Sequence, residues 1–170
     1  AKQDILQVVI FATLVGIGAT LFMDLATMLL ARVTHAPAPN YCLVGRWVGY
    51  MREGMFTHPS IADAAPKPSE CRVGWIAHYV IGVAYALVLI ALLPGSWLGR
   101  PTLLPPLLFG IGTVVVPFLI MQPSFGLGIA ASRTPNPSQV RLRSLMAHAL
   151  FGFGLYIAAV GVSYALHIHG

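Results

Sequence analysis

Apolar residues gather in four long runs along the chain, separated by polar stretches rich in proline and glycine. The runs cover residues 5–31, 73–93, 103–122 and 144–166. Each is close to the roughly 20 residues that a helix needs to cross a bilayer. None alternates with the two-residue period of a barrel strand, and a spanning helix satisfies its own backbone polar groups. The pattern therefore predicts an all-α fold, a four-helix membrane bundle forming a single domain over residues 1–170.

A shorter pattern between the first two runs predicts an additional helix. Over residues 41–56, apolar side chains such as Trp47 and Met51 alternate at helical spacing with the charged side chains of Arg46 and Arg52. A helix with one apolar and one basic face typically lies in the membrane interface. We therefore expect an interfacial amphipathic helix in the first loop.

Composition agrees with a lipid-embedded chain. Charged residues make up 9% and hydrophobic residues 57% of the sequence, and the mean hydropathy is +0.79. Soluble domains carry about 25% charged residues, because water must solvate their surface. The net charge of +5 does not indicate nucleic-acid binding, since the basic residues lie between the apolar runs, where topology signals occur. The expected partner is the lipid bilayer, with no nucleic acid.

The basic residues also predict an orientation. The loops at residues 32–72 and 123–143 leave the membrane on the same face and together hold eight Lys and Arg residues. The opposite face holds only Lys2 and Arg100. The eight are Arg32, Arg46, Arg52, Lys67, Arg72, Arg133, Arg141 and Arg143. Because Lys and Arg favour the cytoplasmic side, both termini are predicted to be periplasmic. Cys42 and Cys71 then lie on the reducing side, where unpaired thiols are expected, and only the inverted orientation favours a disulfide between them.

The two halves of the sequence resemble each other. Residues 16–20, Gly-Ile-Gly-Ala-Thr, match residues 110–113, Gly-Ile-Gly-Thr. An Ala-His pair followed by glycine four residues after the histidine occurs at 77–82 and again at 147–152. These matches predict two helical hairpins related by an approximate two-fold axis along the membrane normal.

Three ionisable residues lie inside the predicted spans: Asp24, His78 and His148. A charged residue such as Asp costs roughly 2.5–3.5 kcal/mol at the centre of a membrane helix, so such residues are rare without a role. All three lie five to seven residues from the same end of their spans, and Gln122 ends the third span near that level. At a rise of about 1.5 Å per residue, they share one depth, which predicts a single polar site.

The residue types leave several chemistries open for this site. Asp24, His78 and His148 could ligate a transition metal, or Asp24 could orient one imidazole as a proton relay or general base. The two histidines could instead hold haem b, with Gly82 and Gly152 providing space for the porphyrin. A structural alternative is a buried Asp–His hydrogen bond that holds the helices together.

Loop residues on the same face could support the site as second-layer partners. The candidates are His58 and Glu70 in the first loop, with Arg46 in its predicted helix, and Arg141 in the second loop.

Several stretches resemble one family of small four-helix bacterial inner-membrane proteins of unknown function. They are Gly18-Ala19-Thr20 with Asp24, Gly45-Arg46-Trp47, Gly74-Trp75 with His78, Gln122-Pro123, and His148 with Gly152. The resemblance extends over nearly the whole chain and implies a multi-pass protein of the bacterial inner membrane. It implies no reaction, substrate or cofactor.

Three classes of function follow from these features. The first is a transporter or transport accessory that handles a small solute or metal ion at the polar cluster. The second is an accessory or structural subunit of a larger membrane complex or a homo-oligomer. The third is a haem- or metal-binding redox protein. The chain has no P-loop, dinucleotide-binding glycine motif or nucleophile elbow, so an enzyme is the less expected class.

Overall fold

The computed structural model describes residues 5–35 and 37–166. Within these ranges the protein is all-helical, and four helices are long and apolar enough to cross a membrane, as predicted. We number five helices: α1 (Ile5–Thr34), α2 (Tyr41–Met51), α3 (Glu70–Leu92), α4 (Leu104–Ser124) and α5 (Pro137–Ala165). The described residues contain no β-strand.

Two helices differ most from the predicted spans, whereas α1 ends three residues later and α3 begins three residues earlier than predicted. α5 begins at Pro137, seven residues before the predicted start at 144, because proline suits the first helical turn and the polar turns after it extend the helix beyond its apolar run. α4 is not uniform: it is α-helical over Leu104–Gly112 and widens to a π-helix over Pro117–Met121. Pro117 has no amide to donate, which interrupts the regular ladder.

The spanning helices pack in the spatial order α3, α1, α5, α4, so that α1 and α5 occupy the centre. The closest crossings use the repeated glycines. A Cβ on Gly16 of α1 would lie 2.5 Å from the Val83 Cα of α3. In the second hairpin, a Cβ on Gly110 of α4 would lie 2.4 Å from the Gly152 Cα of α5. Each half of the sequence therefore forms a hairpin closed at its own Gly-Ile-Gly motif, where small residues let backbones meet.

The loops at one end fold into an ordered layer, which we call the cap: α2 with residues 52–69 and 125–136. Tyr50, Ile61 and Phe125 form its own apolar cluster. The two loops are joined by backbone hydrogen bonds from His58 to Ser124, 2.9 Å, and from Ile61 to Phe125, 3.1 Å. The cap thus covers the end of the bundle at which the three ionisable residues were predicted.

Cys42 and Cys71 form a disulfide, so the prediction of two unpaired thiols was wrong. The prediction considered only the redox state of the expected compartment, whereas the pairing follows from the crossing of two helices. α2 and α3 approach so closely that a Cβ on Gly45 would lie 1.7 Å from the Glu70 carbonyl oxygen, and one on Gly74 would lie 1.8 Å from that of Tyr41. Each glycine follows its cysteine by three residues, so the crossing brings the two sulfur atoms together.

The helix predicted in the first loop exists, but it ends at Met51 and its polar face was misassigned. Arg46, predicted to be exposed opposite the apolar side chains, is only 9% exposed. Its Nε and Nη2 atoms donate to the Glu70 carboxylate, each at 2.8 Å. Its Nη1 atom donates to the backbone carbonyls of Ile61, Ala62 and Ala64. Arg46 therefore holds the cap together from inside.

Candidate functional site

Asp24 of α1 and His78 of α3 form a hydrogen-bonded pair beneath the cap. The His78 Nε2 atom lies 2.9 Å from Asp24 Oδ1. Asp24 is 3% exposed and the His78 side chain 14%. The Tyr41 hydroxyl donates to the same Oδ1 atom at 3.2 Å. The other oxygen, Oδ2, is buried and makes no hydrogen bond within the part of the chain that the structure describes.

Tyr41 closes the pair from the cap side. It is the first residue of α2, next to the disulfide-bonded Cys42, and its ring stacks on His78 with centroids 3.9 Å apart. Trp75 contacts the Tyr41 ring at its edge, with centroids 4.8 Å apart. Burial raises the pKa of Tyr41, and the charge of Asp24 raises it further. The phenol therefore stays protonated and acts as a donor to Asp24.

His148 of α5 lies in a separate hydrogen bond. Its Nδ1 atom is 2.7 Å from the Thr113 hydroxyl of α4, which is also 2.6 Å from the Gly110 carbonyl oxygen. A hydroxyl has one proton to donate. When Thr113 donates to the Gly110 carbonyl, its oxygen accepts from His148 Nδ1–H, which leaves the Nε2 atom of the neutral ring as an acceptor.

His78 and His148 line one small cavity from opposite hairpins. The cavity measures about 50 Å³ and is also lined by Thr20, Met23 and Tyr85. Because a water molecule takes about 30 Å³ in the liquid, the space suits one or two waters. The structure thus brings the two imidazoles to one shared cavity, whose lining is otherwise mostly apolar, without a direct bond between them.

The predicted three-ligand metal site does not form as a ligand set. Among the described residues, no three His, Cys, Asp or Glu side chains are grouped closely enough to hold a metal ion. Asp24 is bonded to His78, whereas His148 is bonded to Thr113.

The surroundings of the two histidines also do not fit a porphyrin. A Cβ on Gly82 would lie 2.0 Å from the Thr20 hydroxyl, and one on Gly152 would lie 2.7 Å from the Pro106 carbonyl oxygen. Neighbouring helices therefore already fill the space beside both glycines. A cavity of about 50 Å³ is far smaller than a haem.

Gln122 is buried but belongs to another contact. It is 3% exposed, and its Nε2 atom donates to the Ser144 hydroxyl at 3.4 Å, which joins the end of α4 to α5. Its Oε1 atom is buried without a partner among the described residues. This hydrogen bond links Gln122 to Ser144 and not to the Asp24–His78 pair.

The four predicted second-layer residues all lie in or beside the cap. Arg46 and Glu70 pair with each other, as described above. The His58 ring packs against Tyr50 with centroids 4.7 Å apart, and Arg141 Nε donates to the Ala130 carbonyl oxygen at 2.8 Å. These contacts stabilise the cap and its junction with α5, and their hydrogen bonds do not extend to the Asp24–His78 pair.

Sequence reasoning missed the partners of the ionisable residues. Tyr41 and Thr113 are uncharged. Burying them has no large free-energy cost, so nothing in the sequence singles them out as it does the ionisable residues. One signal for Thr113 was present, because it follows the Gly-Ile-Gly motif of the second half as Ala19-Thr20 follows that of the first. For Tyr41 the signal was its position before Cys42, at the start of the first of two Cys-x-x-Gly segments.

Comparison with known proteins gives one match. The sequence model of a family described as "Protein of unknown function (DUF2938)" matches residues 13–162. The match confirms the resemblance to an uncharacterised family. No curated protein and no solved structure matches the chain.

Proposed function

Because the chain belongs to the DUF2938 family, whose description names no activity, we propose a function from the site alone: the protein moves protons through the membrane by way of Asp24 and His78. The observation that carries this proposal is the 2.9 Å hydrogen bond between a buried carboxylate and an imidazole that lines a water-sized cavity. Ionisable residues inside membrane helices commonly mark proton relays.

The arrangement supports proton transfer in both directions. An imidazole takes a proton on one ring nitrogen and releases it from the other, so His78 connects the Asp24 carboxylate to the cavity. A water there would link His78 to the acceptor nitrogen of His148. The proposed route therefore runs from Asp24 through His78 and water to His148, and so crosses from the first hairpin to the second.

The same geometry favours protons over the other cargo considered from sequence. Among the described residues a metal ion would find no third grouped ligand, and the cavity of about 50 Å³ admits no organic solute larger than a few atoms. A small solute coupled to proton movement would need the helices to part. The π-helix at Pro117–Met121 and the glycine turn after it offer a segment of α4 where such movement could occur.

A structural role is the second candidate, and one observation favours it. Tyr41, Asp24 and His78 belong to three different helices, so their hydrogen bonds also tie α2, α1 and α3 together. In a subunit of a larger membrane complex, the only role of this cluster would be to stabilise the packing of these helices.

The two candidates differ in a proton-flux experiment. Purified protein is reconstituted into liposomes containing a pH-sensitive dye, and an imposed pH gradient is followed with the membrane potential clamped by potassium and valinomycin. We expect the wild-type protein to pass protons and Asp24→Asn, which keeps the side-chain volume, to pass about 100-fold fewer. Asp63→Asn in the exposed part of the cap is the matched control and should pass protons as the wild type does.

Two outcomes would contradict the proposal. One is a wild-type flux no greater than that of empty liposomes. The other is an Asp24→Asn flux equal to the wild type together with a lower unfolding temperature, which would make the cluster structural.

We further propose that the protein lies in a bacterial inner membrane with the cap on the cytoplasmic side. This placement rests on the eight basic residues at the cap end, against one, Arg100, at the other end within the described part of the chain. The disulfide would then lie on the reducing side of the membrane, which favours thiols. Cys42 and Cys71 would therefore alternate between the disulfide and two free thiols.

Thiol labelling tests this orientation. After reduction, an impermeant maleimide should label the two cysteines only in lysed cells. Ser96→Cys, on the opposite face and in a background lacking both cysteines, should be labelled in intact cells with a permeabilised outer membrane. The reverse pattern would put the cap in the periplasm and make the disulfide a permanent bond.

A further inference from the structure

A groove separate from the Asp24–His78 pair runs down the outside of the bundle between α1 and α5. Its upper part, nearest the cap, has a volume of about 390 Å³, and its lower part measures about 410 Å³. Leu30, Met146 and Leu150 line both parts, so the two parts adjoin along these side chains. Asp24, His78 and His148 line neither part.

The groove changes from polar to apolar along its length. Arg143, Gln139 and Thr34 line the upper part, whereas the lower part is lined only by alanine, leucine and methionine side chains, including Ala26 and Ala149. The two alanines leave room that larger side chains would fill. This gradient matches a molecule with a charged head and a hydrocarbon tail.

Arg143 stands at the level where lipid head groups lie. It immediately precedes the apolar run that begins at residue 144. The groove continues from there to Leu150, seven residues further along α5 and about 10 Å deeper into the membrane. The Arg143 side chain is exposed and forms no salt bridge with the described residues. Its guanidinium is therefore available to a phosphate, which arginine binds through paired hydrogen bonds.

We propose that this groove binds one anionic phospholipid. The lipid phosphate contacts Arg143, with Gln139 and Thr34 as hydrogen-bonding neighbours of the head group. One acyl chain follows the apolar part of the groove past Ala26 and Ala149. The occupant is a lipid rather than a soluble anion, because the apolar part needs a hydrocarbon tail.

Native mass spectrometry of the detergent-solubilised protein tests the proposal. The protein is titrated with dioleoyl phosphatidylglycerol and, separately, with dioleoyl phosphatidylcholine, which has the same chains and no net charge. We expect one phosphatidylglycerol to bind about fivefold more tightly than phosphatidylcholine, the preference that one basic residue supplies near an anionic head group. Arg143→Gln should abolish that preference.

Two variants complete the design. Arg133→Gln, an exposed arginine in the cap that does not line the groove, should keep the full preference. Ala149→Leu should weaken both lipids by narrowing the channel. Equal binding of the two lipids by the wild type, or the same loss in Arg133→Gln as in Arg143→Gln, would overturn the proposal, since general surface charge would then explain the binding.

Discussion

A carboxylate inside a membrane helix is stable only when neighbouring groups compensate its lost hydration. Asp24 receives that compensation at one oxygen, Oδ1, from the Tyr41 hydroxyl and the His78 imidazole. Its second oxygen has no hydrogen-bond partner in the described structure. This uneven environment leaves one side of the carboxylate available to a proton, which is the property that the proposed relay requires.

The buried Tyr41 hydroxyl should make the stability of the folded protein fall at alkaline pH. Burial and the charge of Asp24 raise the pKa of Tyr41 above its ordinary value of 10.0. The folded state therefore holds this proton more tightly than the unfolded state, and the resulting stabilisation is complete below pH 10.0 and is lost as the pH rises above it. We expect the unfolding temperature of the wild type to fall more steeply than that of Tyr41→Phe above about pH 10.

The control for this measurement is Tyr156→Phe, whose ring packs against Phe153. It should follow the wild-type pH profile. At neutral pH, Tyr41→Phe should lose about 1 kcal/mol for one hydrogen bond. Parallel profiles for the wild type and Tyr41→Phe would show that folding does not raise the pKa of Tyr41, which would contradict its burial beside Asp24.

Arg46 offers a second test at the residue scale. Arg46→Met keeps an unbranched side chain but removes the guanidinium donor from three carbonyl groups and from the Glu70 carboxylate, which then accepts only from the Lys67 backbone N–H. Removing one partner of a buried ion pair costs about 3–5 kcal/mol. We expect that loss in the free energy of unfolding, measured in detergent. The exposed Arg52→Met should change it by less than about 0.5 kcal/mol, and equal effects would contradict the assigned role.

The sequence could predict which ionisable residues lie inside the spans but not how they pair. Asp24, His78 and His148 were identifiable because an ionisable group in lipid is costly wherever it points. Their pairing depends on helix rotation and crossing, which no local pattern fixes. Asp24 therefore joins His78 while His148 joins Thr113, although His78 and His148 line the same cavity.

Helix crossings determine whether these side chains meet. α1 and α3 touch at Gly16, eight residues before Asp24, and α2 and α3 touch at Gly45 and Gly74. Hydropathy located the helices because lipid selects for apolar length. It gave no crossing points, since spanning helices are apolar on nearly every face and small residues alone mark their contacts.

Two glycines of the repeated motif should respond differently to alanine. In Gly16→Ala, the new methyl group would meet the backbone of Val83, so α1 and α3 must move apart. Overpacking of this kind costs about 1–3 kcal/mol. In Gly112→Ala the methyl group meets nothing within 4 Å, so stability should be unchanged or slightly higher. Thermal unfolding in detergent measures both, and equal unfolding temperatures would contradict the crossing.

The whole molecule combines a four-helix span with a cap at one end. The number of spans followed from the apolar runs, but the order α3, α1, α5, α4 and the ordered cap did not. The cap depends on long-range contacts, such as the backbone bonds between the two loops and the buried Arg46–Glu70 pair. An arginine in an amphipathic pattern is expected to face water, and only the folded loops reveal the carbonyl groups that hold it inside.

For the whole molecule, the proposed relay requires that Asp24 gain and lose a proton while the protein stays folded. Infrared difference spectroscopy after a pH jump measures this directly, because a protonated carboxyl group and a carboxylate absorb at different frequencies. The proposed relay predicts a carboxyl band in the wild type that is lost in Asp24→Asn, kept in Asp63→Asn and shifted in His78→Gln. Identical difference spectra for the wild type and Asp24→Asn would show that Asp24 never changes its protonation state, which would contradict proton transfer and leave the pair a structural contact.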